Sequence, residues 1–301
     1  MSAPNVISPA PPAAPAQPAR YGEVYDRGYQ HYDGPRLGRL HAQWALVRYS
    51  MKRALGIKKG VGAKIMPILL YVAVLMPVIV SLGIRSFVPT ADVLDYADFF
   101  GFIFVIEGIF VATIAPEMLC GDRRENVLAL YFSRAITRAD YLLAKLLATA
   151  ILVLTVSLIP AAILWLGRQL ILDDPLQAMG DNIDDLGRIL LAGTLIAFFL
   201  GAVGLVVSAF TGRKSIAVAI IVIGFVVFES LAGALRFGID DDWGKYVLFL
   251  SPSSTIAGLV GRLFDEPGLG VEADLWQIIA VMGGVILVAG GIMYLRYVPD
   301  E

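Results

Sequence analysis

Six stretches of this chain are apolar for long enough to cross a bilayer, and that constrains its fold more than any other feature. Read in windows of about 19 residues, they fall at 65–84, 99–119, 141–166, 189–210, 215–235 and 275–295. Lipid cannot satisfy backbone polar groups, and the runs are continuous rather than alternating, so each window is predicted to be a helix. The expected fold is therefore an all-α membrane protein with six transmembrane helices. Composition agrees, since 57% of the 301 residues are hydrophobic and only 17% are charged, too few to wet a soluble surface of this size.

Orientation follows from Lys and Arg. Ten precede the first window, five lie between the second window and the start of the third (Lys145 included), two separate the fourth and fifth, and one follows the last. That places 18 of the 24 on one side, which predicts cytoplasmic N- and C-termini. The opposite loops are acidic, with Asp92, Asp95 and Asp98 in the first of them. Net charge is only -2, so no overall field favours nucleic acid. Cys120 is the single cysteine and can form no internal disulfide.

The N-terminal region divides in two. Residues 1–20 are rich in Pro and Ala and lack the apolar segment of a signal peptide, so a disordered tail is expected. Residues 21–64 are expected to form a Tyr-rich cytoplasmic strap followed by an amphipathic helix. In that helix Leu37, Leu40, Trp44, Val47, Met51 and Leu55 recur at helical spacing, with Arg39, Arg48, Lys52 and Arg53 on or beside the other face. Such a helix suits the membrane interface; packing on a cytosolic partner is the alternative.

Between the second and third windows, residues 117–140 form a charged cytoplasmic loop. Val127, Leu128, Leu130, Tyr131 and Phe132 make an apolar cluster, bracketed by Asp122, Arg123, Arg124 and Glu125 before it and Arg134 and Arg138 after it. A short helix with one apolar face fits either a groove on another protein or the lipid headgroups. Charge of both signs favours the protein, because an anionic leaflet would select Lys and Arg alone.

"DRRENVLALYFSRAITRADYLLAKLLA", residues 122–148, resembles the cytoplasmic loop and the start of the third span in ABC-2 type permeases, in their bacterial branch. The likeness lies in Asp122, Arg123 and Arg124, in residues 128–134, and in Arg138, Asp140, Tyr141, Leu142, Leu143 and Lys145. Ala135, Ala144, Asn126 and Val127 depart from it, standing where Pro, Gly, Gly and Thr are usual. "SPSSTIAGLVGRLF" at 251–264 is similar to a family segment that dips into the outer leaflet, which implies an extracellular re-entrant hairpin at about 246–264. Six spans at 65–301 and the preceding amphipathic helix agree with the same family.

The resemblance implies a permease subunit of an ATP-binding-cassette exporter in the bacterial plasma (inner) membrane. Two six-span halves, as a homodimer or a close heterodimer, would sit in membrane lipid above two ATPase subunits. ATP and Mg would be held by the ATPase partner, with no cofactor and no catalytic or metal site in this chain. Consistent with that, "TGRKS" at 211–215 and "WGKY" at 243–246 both fall short of a phosphate-binding P-loop. The implied coupling surface is Glu117, Asp122, Arg123, Arg124, Leu128, Tyr131, Phe132, Arg134 and Arg138.

Two acids lie deep within the apolar windows, Glu107 and Glu229. Burying a carboxylate in hydrocarbon is costly, so each is expected either to line a substrate path or to bond a neighbouring helix. Gly193, Gly201, Gly204 and Ser208, and Gly283, Gly284, Gly290 and Gly291, suggest close helix approach. Pro67, Pro77 and Pro160 suggest bends. An intramembrane enzyme finds little support, because His31 and His41 both precede the first span and no Asp lies inside one. A membrane scaffold that moves nothing would use the same loop, so sequence leaves it open.

Overall fold

The computed structural model describes residues 34, 37–57, 60–88, 93–132, 136–239, 244–266 and 270–297. The expected tail, nearly all of the strap, and Arg134 lie outside the described residues. From Leu37 onward the described residues are helical, with no strand among them. The elements are α1 (Arg39–Ala54), α2 (Gly62–Phe87), α3 (Tyr96–Arg124), α4 (Leu128–Phe132), α5 (Arg138–Leu170), α6 (Pro175–Asp181), α7 (Ile183–Phe210), α8 (Lys214–Gly238), α9 (Gly244–Val247), α10 (Pro252–Leu263) and α11 (Leu275–Tyr297). A 3-10 turn at Leu248–Leu250 joins α9 to α10.

Six of these, α2, α3, α5, α7, α8 and α11, are long and apolar enough to span a membrane, and each contains one expected window. The helices overrun the windows because polar caps finish them. Asp95 accepts the Asp98 N–H at the start of α3, and Thr137 and Asp140 form a reciprocal capping box at the start of α5. α2 runs through Pro67 and Pro77, and α5 through Pro160, without losing helical continuity.

α3, α5 and α7 make the centre of the bundle, each packing on the other two. Phe99, Phe110, Val111, Ile114, Leu152 and Leu200 on these helices are fully or almost fully buried. α2, α8 and α11 lie outside, keeping most of their apolar surface exposed, the natural state of helices that face lipid or another subunit. The glycines of α7 permit the close central packing: a Cβ at Gly204 would fall 2.3 Å from Val111, and one at Gly193 2.9 Å from Leu158. Gly283, Gly284, Gly290 and Gly291 of α11 meet nothing within 4 Å, so close approach is not their role within this chain. α11 is peripheral, and the face that carries them is open.

The 246–264 segment forms a turn and a helix packed on α3, α7, α8 and α11. Its backbone comes unusually close to the following loop. The Val271 N–H donates to the Ser254 carbonyl at 3.0 Å, and a Cβ at Gly270 would lie 2.2 Å from the Gly258 nitrogen.

Candidate functional site

The charged loop rests on a buried carboxylate. Asp122, in the last turn of α3, has a side chain with no exposure, and it gathers partners from two other helices. Arg53 Nη1 of α1 lies 2.9 Å from Oδ1, while on Oδ2 Lys145 Nζ of α5 lies at 2.7 Å and the Tyr141 hydroxyl donates at 2.9 Å. Lys145 also donates to Ser50 Oγ at 3.0 Å, and the second guanidinium nitrogen of Arg53 reaches Glu125 at 2.7 Å. Two cations and two carboxylates thus neutralise one another, with hydroxyls completing the set, the condition for keeping charge in a buried place.

Local structure sets this geometry. Ser50 and Arg53 are one turn apart on α1, as are Tyr141 and Lys145 on α5, so each helix offers two groups from one face. Gly121 makes room for the Arg53 guanidinium, since a Cβ there would sit 2.3 Å from Nη2. At the other end of α1, Arg39 binds Asp140 through two nitrogens, at 2.6 and 2.7 Å, and the Gln43 amide donates to the same carboxylate. α1 is therefore fastened to α3 at one end and to α5 along its length.

The packing face of α1 is only partly the expected apolar stripe. Leu46, Val47, Ser50 and Ala54 are buried, whereas Leu37, Leu40 and Trp44 are exposed. The polar residues Arg39, Gln43, Ser50 and Arg53 turn towards the bundle because Asp140, Asp122 and Lys145 await them there.

α4 sits above this base after a tight turn in which Asn126 takes a left-handed conformation (φ 51) and the Val127 N–H returns to the Asp122 carbonyl. Its Tyr131 and Phe132 rings each lie 5.8 Å from the Tyr141 ring, and the Arg138 guanidinium stacks over Phe132. Burial, then the Asp122 charge, push the Tyr131 phenol up to about 12, so it stays protonated at neutral pH. Leu128 is half-buried, while Leu130 and Arg124 are mostly exposed.

The expected coupling residues therefore separate. Asp122 lies beneath the surface; Arg123 donates to the Ala209 carbonyl of α7; Glu117 pairs with Lys214 at the start of α8. Leu128, Tyr131, Phe132, Arg138 and Arg124 stay at or near the face the loop presents. Ser50, Arg53, Arg39 and Gln43 belong to the site; the sequence marks Arg39 and Arg53 only as polar-face residues of the amphipathic helix, and it does not mark Ser50 or Gln43 at all. The readable signal was Lys145, a cation inside an apolar window that demands a counter-charge nearby.

The two intramembrane acids differ. Glu107 is buried in α3 facing Ser157, with no hydrogen-bond partner for either oxygen among the described residues. Glu229 of α8 accepts from the Ser251 hydroxyl at 2.6 Å, from the Ser253 hydroxyl at 2.7 Å and from the Ser253 N–H at 2.9 Å, holding the start of α10. It also borders an open apolar groove of about 350 Å³ between α3 and α8, lined by Phe104, Val105, Ile109, Val222 and Phe225. No group of three His, Cys, Asp or Glu able to hold a metal occurs among the described residues.

Against this geometry stand the comparisons with known proteins. A family model described as "ABC-2 family transporter protein" matches residues 63–295, from the start of α2 almost to the end of α11. Comparison with curated proteins finds no match.

Proposed function

Because the chain belongs to the ABC-2 family of transporter proteins, and so is a membrane permease subunit of an ABC transporter, we propose that it is an exporter half driven through its second loop. A separate ATPase subunit, holding ATP and Mg, presses on α4 when it closes. The observation that carries this reading is the buried Asp122 cluster beneath an exposed short helix. A push on α4 needs a rigid footing, and Asp122 ties the end of α3 to α1 and α5 at once.

In this reading Arg124, Leu128, Tyr131, Phe132, Arg134 and Arg138 present the coupling face, the apolar side chains filling a groove and the charges fixing register. Asp122, Arg123 and Glu117 act from below as positioning residues. A second permease, identical or closely related, covers apolar faces left open on the outer helices, and the assembly sits in the bacterial inner membrane. Glu107 and Glu229 border the substrate path, Glu229 while it also holds α10.

The test is ATP turnover by the ATPase subunit purified with this chain in lipid, comparing wild type with Leu128→Asp and Leu130→Asp. Leu130→Asp, on the exposed side of α4, keeps the native melting temperature, and both variants lose about tenfold or more of the lipid-stimulated turnover, the effect of removing one interfacial anchor. Unchanged turnover in both would overturn the coupling role of α4. If no ATPase subunit associates with the wild type, a non-transporting membrane scaffold replaces the exporter reading.

A further inference from the structure

The α7–α8 turn takes no part in the coupling proposed above, yet it carries exposed positive charge. Gly212, Arg213, Lys214 and Ser215 face Cys120 and Arg124 of α3 across an open groove of about 370 Å³. Three cations line it. Among the described residues Arg124, 67% exposed, meets Glu125 alone, at 3.9 Å, and Arg213 is exposed and pairs with no carboxylate. Lys214 alone is neutralised, by Glu117. Arg123 fastens α3 to α7 beside the turn, and Arg296 stacks over Phe210 just before it, so neither brings a negative charge to the groove.

Directly beyond the cations, α8 presents Ile216, Ile220 and Ile223 along one side, at 46%, 45% and 60% exposure. Their spacing of four and three places them on a single stripe running into the span. A cationic groove at the end of a lipid-facing apolar stripe matches one chemistry, an anionic headgroup joined to an acyl chain. A soluble anion would gain nothing from the stripe, and an apolar molecule nothing from the cations. The turn cannot serve as a nucleotide loop, because the Gly-Lys pair and the preceding glycine spacing are missing from "TGRKS".

We propose that the groove between Arg124, Arg213 and Lys214 binds the phosphate of an anionic phospholipid, with an acyl chain along Ile216, Ile220 and Ile223. Guanidinium groups suit it because they engage phosphate oxygens through two N–H groups at once. The loop lies on the side that carries most of the Lys and Arg, where anionic lipid attracts basic residues by roughly 1 kcal/mol each, about fivefold in affinity. The bound lipid would hold the start of α8 at a fixed depth. Arg124 is shared with the proposed coupling face, but Arg213 and Lys214 are not and lipid binding needs no ATPase partner, so failure of the coupling proposal would leave the site intact.

Native mass spectrometry of the full chain, released from detergent after titration with phosphatidylglycerol, phosphatidylcholine or glycerol 3-phosphate, tests the proposal. Wild type is expected to retain phosphatidylglycerol about fivefold or more over phosphatidylcholine. Arg213→Gln should lose most of that preference, Arg213→Lys should keep most of it, and Arg188→Gln, near the start of α7 where Arg188 meets Asp265, should not change it. Ser215→Asp adds a negative charge to the exposed rim and should abolish the preference while leaving melting unaltered, which keeps the test decisive if Arg213→Gln folds poorly. Equal retention of the two lipids, or a preference indifferent to both Arg213→Gln and Ser215→Asp, would overturn the site. Competition by glycerol 3-phosphate at the concentration of the lipid would overturn the lipid as its source and assign the groove to soluble phosphate.

Discussion

Asp122 and Glu229 each fix a short helix that does not span, and they do so by opposite means. Asp122 has no exposure and holds charged partners from two different helices, so it unites α1, α3 and α5 in one electrostatic knot. Glu229 is half-buried, and its donors, two hydroxyls and an N–H, all come from Ser251 and Ser253. The first makes three helices move together. The second positions one element against one helix through donors that carry no charge of their own.

Removing Asp122 should therefore do the most damage. Asp122→Ala leaves Arg53 and Lys145 buried beside each other without their shared counter-charge, a loss of about 3–5 kcal/mol. Thermal unfolding in detergent checks it: a fall in melting temperature no larger than that of Glu229→Gln would break the contrast. Beside α10 the harshest change is Gly270→Ala in the following loop, whose methyl would meet the Gly258 backbone nitrogen at 2.2 Å with no side chain able to yield. Overpacking of this kind costs about 1–3 kcal/mol and should appear as faster proteolysis of the 246–264 segment, with the spans intact. Glu229→Gln keeps one acceptor oxygen and sets an amide against donors, so about 1–2 kcal/mol is expected, again local to α10.

How far each region could be read from sequence follows the same division. The six spans were legible because hydrocarbon demands some 20 apolar residues, a requirement that no tertiary contact relaxes. Their true ends were not, since Asp95, Thr137 and Asp140 extend the helices with polar caps that a hydropathy window scores as loop. Asp122, among charges in a cytoplasmic loop, reads as surface, and only burial distinguishes it from Arg124 two residues on. On α1 the stripe of Leu37, Leu40 and Trp44 signalled a helix but not its packing face. That face is chosen by the partners of Arg39, Gln43, Ser50 and Arg53, far away in sequence on α3 and α5. Periodicity measures how apolar a face is and carries no information about a salt bridge 69 or 101 residues away.

The smallest expected effect lies on α1, the helix whose far end the Asp122 cluster holds. Arg39 grips Asp140 with two nitrogens, but the guanidinium is 58% exposed, so water and salt compete for it. Asp140 also keeps a second role without Arg39, because Thr137 N–H donates to its carboxylate at 3.0 Å and the capping box at the start of α5 stays closed. Arg39→Ala should accordingly lower the melting temperature only slightly, and the difference from wild type should vanish at high salt. Arg53→Ala, at the buried end of α1, should lower it far more and by the same amount at any ionic strength, since water and ions do not reach Asp122. Equal losses from the two arginines would mean that α1 is held along its whole length alike. Salt sensitivity in Arg53→Ala would mean that the Asp122 cluster opens to solvent, and α4 would then have no rigid footing from which to pass on a push.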